Sequence, residues 1–302
     1  ERSIKASYTW NEDLSDPYKH IKEELEFLGA VLNFKNKTVQ AGSKVMKKLA
    51  AVWERRKDWT VHDFIVCVSV LVYVSNLVGR SMAPFQRVLQ LWARSQGDTT
   101  REPALMQAAL RELPVVVEDC LERWVLISME NQPMPVPEYS DKHDFVLITD
   151  ACVDGWCGII YSVKSGQSTV VRGEWPDGLE EYMKHSTTAE PMAVAASCAT
   201  FFDRGVQGVK VLHITDNTPT ESEVNRGYST CEGRFLAEYL HEHYPGLIIN
   251  SKYYPGEAIP TDEGSRGLAT RKEKLDAIIA ALGMREVTSM TEIAVASMKG
   301  VL

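Results

Sequence analysis

Apolar residues recur along the chain in two rhythms, and the change of rhythm divides it. In residues 43–57, SKVMKKLAAVWERRK, Val45, Leu49, Val52 and Trp53 fall at helical spacing with lysines and arginines on the other faces. That is an amphipathic helix, with Ser43 in the place of a cap. The run FIVCVSVLVYVSNLVG (64–79) is apolar all round but short for a membrane span, and it carries Ser69, Ser75 and Asn76. It reads as a buried helix opened by a capping box of Thr60 and Asp63. Further helices are predicted over about 83–96 and 101–127, and before them residues 24–42 read as two strands around a polar KNK turn. Trp53, Trp59 and Trp92 belong to the core of this helical half.

Residues 131–138, NQPMPVPE, hold three prolines in eight positions and read as part of a linker over 131–143. Behind it the rhythm shortens. FVLITDAC, CGIIYSV and STVVRGEW are apolar runs separated by turn residues, and they predict an antiparallel meander. TTAEPMAVAASCATFFDRG reads as a helix, VKVLHITDN as a buried strand, CEGRFLAEYLHEHYPG as a helix and LIINSKYYPG as a fifth strand. The order βββ-α-β-α-β-α predicts an α/β class, with a mixed five-stranded sheet flanked by helices over 144–267. Residues 268–302 are expected to form a helical tail, with LDAIIAALGM as one amphipathic helix and a second behind it.

The chain has 302 residues, enough for two domains, and a formal net charge of −8. The charge is uneven. Residues 1–110 hold 16 Lys and Arg against 12 Asp and Glu, a balance of +4, and the remainder holds 17 against 29, a balance of −12. Such acidity excludes a simple basic coat for nucleic acid but fits an enzyme whose carboxylates hold divalent metal. Six cysteines without a CxxC pair, and no evident secretory leader, predict a reducing, intracellular setting; no membrane partner is expected.

Four carboxylates stand at telling places. Asp150 ends the first strand of the meander, Glu190 lies in the first turn of the helix behind it, Asp216 ends the strand HITD, and Asp262 opens the next helix. The two strands ending in Asp are the most apolar, so they are expected to be central neighbours with their acids side by side. Clustered carboxylates repel unless a cation neutralises them, and oxygen-only donors suit Mg²⁺ or Mn²⁺. A pair of such ions about 3.5–4 Å apart can activate water and clamp a phosphodiester.

These strings resemble the ribonuclease H domain of retroelement reverse transcriptases. ITDACVDGWCGIIYS is similar to that family's first hairpin, TTAEPMAVAA to its glutamate-bearing helix, ITDN to its third acidic position and PGEAIPTDEGSR to its closing signature. In the last, Ile259 stands where Asn is usual and Thr261 where Ala is usual. The resemblance covers about 145–267 and implies that Asp150, Glu190, Asp216 and Asp262 are metal ligands for two ions, Asp150 bridging both. It implies hydrolysis of the RNA strand in RNA–DNA hybrids, selected by 2′-OH contacts and duplex shape. ELEFLGAVLNFKNKTVQAGSKVMKKL is similar to the end of a reverse-transcriptase palm leading into the thumb, so residues 1–130 are expected to be palm end, thumb and connection. TDN at 215–217 resembles tyrosine-recombinase retroelements and pararetroviruses. No YxDD polymerase motif is present, and a polymerase chain or segment or other assembly subunits are expected partners.

Lys44, Lys47, Lys48 and Arg55, with Arg56 and Lys57, form a basic stretch that is either a solvated face or a contact to duplex backbone. Arg266, Asn217 and Ser265 are candidates for phosphate contact beside the acids. His185 lies five residues before Glu190, and His241 and His243 point to different sides of one helix. The histidine that many ribonucleases H carry shortly before the last aspartate is missing from 252–261. Two other readings stand beside the nuclease: a non-catalytic scaffold of the same fold in a ribonucleoprotein or protein assembly, and a related phosphotransferase such as an integrase or resolvase.

Overall fold

The computed structural model describes residues 23–136, 142–231 and 234–294. Its N-terminal part opens with β1 (Glu24–Phe27), β2 (Ala30–Asn33) and β3 (Thr38–Ala41), joined antiparallel in that order. Three strands stand where two were expected, because Leu28 and Gly29 adopt positive φ and turn the chain between β1 and β2. The KNK turn lies between β2 and β3. Residues 1–22, part of the expected palm-like segment, lie outside the described residues.

Helix α1 (Ser43–Glu54) follows, but its cap is Gly42 and no side chain closes it, so Ser43 does not serve as the cap. Arg56–Asp58 form a separate 3₁₀ turn rather than the end of that helix. Helix α2 (Val61–Leu77) is the centre of this half. The Thr60 and Asp63 side chains exchange bonds with each other's backbone N–H, and Phe64, Cys67, Val68, Leu71 and Val74 are buried. Helices α3 (Gln86–Arg101) and α4 (Val115–Met129) pack around it. Phe85 stacks on Trp124 at 4.7 Å, and Trp124 donates its indole N–H to Ser75 Oγ at 2.9 Å. Trp59 is buried, while Trp53 and Trp92 pack on the edge of the same core. Asn131 then bonds both backbone groups of Ala41, and the short strand β4 (Met134–Pro135), from the stretch read as linker, pairs with β3.

The C-terminal part is built on β5 (Phe145–Ala151), β6 (Gly155–Ser162), β7 (Gln167–Glu174), β8 (Gln207–Thr215), β9 (Gly246–Tyr253) and β10 (Ser289–Ala294). Among the described residues they form a mixed six-stranded sheet in the order β10-β7-β6-β5-β8-β9. The meander β5-β6-β7 is antiparallel, β8 runs parallel to β5, and β9 runs parallel to β8.

The sixth strand corrects the expected five, and it corrects the wholly helical tail. LDAIIAALGM does form helix α10 (Lys272–Ala281), but residues 289–294 pair parallel with β7. Val287, Met290 and Ile293 are spaced as on a helix, so periodicity alone favours the wrong element. The free edge of β7 decides instead, because its unpaired backbone groups are satisfied by a strand and not by a helix. The Arg172–Glu292 ion pair at 3.1 Å holds the new edge.

The helices lie on both faces. On one, α6 (Ser186–Phe201), α7 (Thr218–Arg226) and α8 (Leu236–His243) cover Leu147 and Val211. On the other, α10 covers Val146, Ile148 and Ile159. Two short helices, α5 (Glu180–Met183) and α9 (Thr261–Ser265), sit before α6 and before α10. At the sheet's outer edge, Asn225 of α7 bonds both backbone groups of Ser251 and Glu221 accepts from Tyr253 N–H, which blunts β9 against further pairing.

Candidate metal centre

The register of β5 and β8 sets the site. Ile148 pairs with Ile214, so two residues further along each parallel strand Asp150 and Asp216 emerge as neighbours. Glu190 comes from α6, whose run Ala189–Cys198 is buried against the sheet. The helix begins at Ser186, so Glu190 opens its second turn rather than lying in the first. The approach of α6 requires Gly158 on β6: any Cβ there would collide with Ser197 Oγ.

Ligand oxygens of Asp150, Glu190 and Asp216 all lie within 4.8 Å of one another. Asp150 and Glu190 are 5% and 3% exposed. Glu190 Oε1 accepts the Ala151 N–H at 3.2 Å, while its Oε2 is buried without a hydrogen-bond partner. Burial, and then the charges of Asp150 and Asp216, push the Glu190 carboxyl up to about 9. Burial also raises Asp150 to about 6, against the Ser265 hydroxyl, which favours its ionised form. Asp216, half-buried, is raised by burial and by Asp262.

Three carboxyl groups whose ionised forms are disfavoured by burial and by one another, with one buried oxygen unpartnered, fit a divalent cation. The donors are all oxygen, which suits Mg²⁺ and Mn²⁺. Asp262 stands apart from the close trio, with its carboxylate 2.7 Å from the Arg266 guanidinium, although its charge reaches both Asp150 and Asp216.

Of the other candidates, Asn217 caps α7, accepting from the Thr220 N–H at 2.9 Å and from its hydroxyl at 2.8 Å. Lys44, Lys47 and Lys48 are exposed on α1. Arg55 is exposed too but paired with Asp63 at 3.2 Å, and Arg56 lies over the Trp53 ring. His185 is exposed at the start of α6, and His243 lies against the Tyr239 ring. Ile259 and Thr261, the two departures from the usual closing signature, are fully buried, with Ile259 in the core beneath the site.

Three features of the site were not legible as such. Ser265, weighed only as a phosphate contact, turns its hydroxyl inward to Asp150 Oδ2 at 2.5 Å. Gly256 makes room for Asp216, whose carboxylate a Cβ would strike; the PG pair before the last acid is the signal that could have shown it. His213, three residues before Asp216, is fully buried between Thr149 Oγ1 at 2.9 Å and Ser251 Oγ at 2.8 Å. It ties β5, β8 and β9 together beneath the acids, and burial pushes its imidazole down to about 3. A histidine inside an apolar strand marks this position in the sequence.

A cavity of 840 Å³ on the N-terminal sheet, lined by Leu32, Phe34, Thr38 and Pro135 among others, contains none of these acids. Among the described residues no helix is long and apolar enough to cross a membrane.

No family model matches the chain, and no curated protein matches it. Similar solved structures are foamy viral protease-reverse transcriptases. One, in complex with an RNA/DNA hybrid, is 12% identical with a TM-score of 0.29, over 76% of this chain and 29% of that one. A dRH form with double-stranded DNA is 10% identical with a TM-score of 0.25, over 76% and 38%. A third, with double-stranded DNA, is 12% identical with a TM-score of 0.23, over 76% and 45%. The chain thus spans less than half the length of each of these neighbours, at a likeness that assigns no activity to it.

Proposed function

We propose that this chain is a metal-dependent nuclease of the ribonuclease H type, hydrolysing the RNA strand of RNA–DNA hybrids. The observation that carries the reading is the close trio of the buried Asp150 and Glu190 with the half-buried Asp216, with Glu190 Oε2 unpartnered at the joint end of β5 and β8. Those three side chains would hold Mg²⁺ or Mn²⁺, and Asp262 would complete the set from the rim. Bound there, such ions supply Lewis acidity and an activated water for phosphodiester hydrolysis.

The protein's own groups do the rest. Loss of the proton from Glu190 creates the charge that receives the cation. The walls formed by α6 and the sheet keep bulk water from its buried carboxylate. Lys44, Lys47 and Lys48, exposed on α1, would contact the phosphate backbone of a duplex, and preference for a hybrid would arise from 2′-OH contacts and duplex shape. The resemblance of the closing string PGEAIPTDEGSR supports this substrate over those of integrases and resolvases. A polymerase segment or further subunits would complete the assembly, in a reducing compartment.

The test is cleavage of a labelled RNA–DNA hybrid by the folded chain in Mg²⁺ or Mn²⁺, beside Asp150→Asn and Asp216→Asn. Cleavage is expected from the wild type, with loss of at least about 100-fold in either variant and no change in fold. Wild-type rates in the variants would overturn the reading. A folded wild type that cleaves in neither metal would leave a scaffold that keeps the shape of the site.

A further inference from the structure

Ser265 ends α9 in the triplet Gly264-Ser265-Arg266, and the three residues face three ways. Gly264 lies against Cys157, the cross-strand partner of Asp150, and a Cβ at that position would collide with the Cys157 sulfur. Arg266 turns outward to Asp262. Ser265, 5% exposed, points inward and brings its hydroxyl to Asp150 Oδ2 at 2.5 Å, while its own carbonyl accepts the Cys152 thiol at 3.0 Å. The helix is therefore pressed onto β6 at its glycine, and the serine is set between Asp150 and the turn that follows it.

A carboxylate turns about a broad, nearly two-fold torsion, so the rotamer of Asp150 alone does not fix where its two oxygens point. A short O–H···O⁻ bond to one of them does. A serine hydroxyl has one proton, and this one is used inside the site, on a side chain with almost no surface for a substrate to reach.

We infer that Ser265 is a positioning residue that orients the Asp150 carboxylate for cation binding. The inference rests on the metal reading proposed above. Its effect belongs to metal affinity, since hydrogen-bond partners of ligating carboxylates typically change affinity by about 10–100-fold. The competing role is structural, because Ser265 Oγ also lies 3.1 Å from the Asp262 carbonyl and could simply close the last turn of α9.

Calorimetric titration of the full chain with Mn²⁺, together with thermal melts in EDTA, separates the two. Ser265→Ala is expected to bind Mn²⁺ at least about 10-fold more weakly while melting close to the wild type in EDTA. Ser265→Thr, which restores the hydroxyl, is expected to recover the affinity. Unchanged affinity in Ser265→Ala, or an alanine variant that fails to fold in EDTA, would overturn the positioning role in favour of the structural one. A wild type that binds no Mn²⁺ would overturn the metal reading itself, and this inference with it.

Discussion

Glu190 shows how one residue's chemistry depends on its setting. Unfolded, its carboxyl ionises near 4.5; folded without metal, it does so near 9, because burial and two neighbouring acids disfavour the charge. Between those values the folded protein keeps a proton that the unfolded chain releases, so stability falls as pH rises through the window. Asp150 adds a smaller contribution of the same sign between 3.8 and about 6. In EDTA, the wild type is therefore expected to melt lower at pH 8 than at pH 5, and Glu190→Gln to melt higher than the wild type at pH 8. The difference between the two should be at least about 2 °C, the shift that accompanies 1 kcal/mol in a chain of this size, and should narrow at pH 5. Mn²⁺ should raise the wild type and leave Glu190→Gln nearly unmoved. Thermal melts in the two buffers check this, and a wild type indifferent to pH in EDTA would contradict it. The acidic residue types and their order were readable in the sequence. The unpartnered oxygen of Glu190 was not, because it depends on which backbone N–H the other oxygen takes.

At the scale of elements, the site depends on how closely α6 and α9 approach the strands beneath them. Gly158 and Gly264 allow that approach; neither has a positive φ, so the reason for glycine is space rather than backbone conformation. Gly158→Ala is expected to push α6 from β6, to cost about 1–3 kcal/mol through overpacking, and to weaken Mn²⁺ binding by displacing Glu190. Urea denaturation measures the first effect and calorimetry the second; a variant as stable as the wild type would show that the layers yield without cost. The apolar run of α2 and the meander β5-β6-β7 could be read from local pattern, because each buries its own side chains in one period. The strand β10 could not. Its spacing also suits a helix, and the open edge of β7, more than a hundred residues away in sequence, decided between them.

At the scale of the molecule, the helical part meets the sheet part through the segment between α7 and α8. Gln86 at the start of α3 donates to the Arg234 carbonyl and accepts from the Ser229 N–H at 3.3 Å, and Gln90 donates to the Cys231 carbonyl at 2.9 Å. Behind these contacts Arg234 donates to Glu223 at 2.5 Å, with both side chains buried, and reaches Thr220 at 3.2 Å. Arg234→Ala leaves the Glu223 charge buried and uncompensated, so a loss of about 3–5 kcal/mol is expected. Chemical denaturation followed by tryptophan fluorescence tests it, and a loss below 1 kcal/mol would show that water reaches Glu223. The same path runs from α3 through α7 to its cap Asn217, next to Asp216, so the attachment of the helical part and the geometry of the site share residues.

The α/β class, the five strands from β5 to β9 with the helices α6 and α8 between them, and the four acids worth watching were all readable in the sequence alone. Hydrophobic period, capping residues and turn residues act within a few positions of one another, and the chain carries them in plain view. Only the tertiary structure decided which acids meet. The register of β5 against β8 placed Asp150 beside Asp216, the packing of α6 delivered Glu190, and the ion pair with Arg266 held Asp262 at the rim. It also decided that Ser265 faces inward, that Asn217 is a cap and that the tail closes the sheet as a strand. Each of those outcomes depends on a partner far away in sequence, and no local pattern encodes the distance between them.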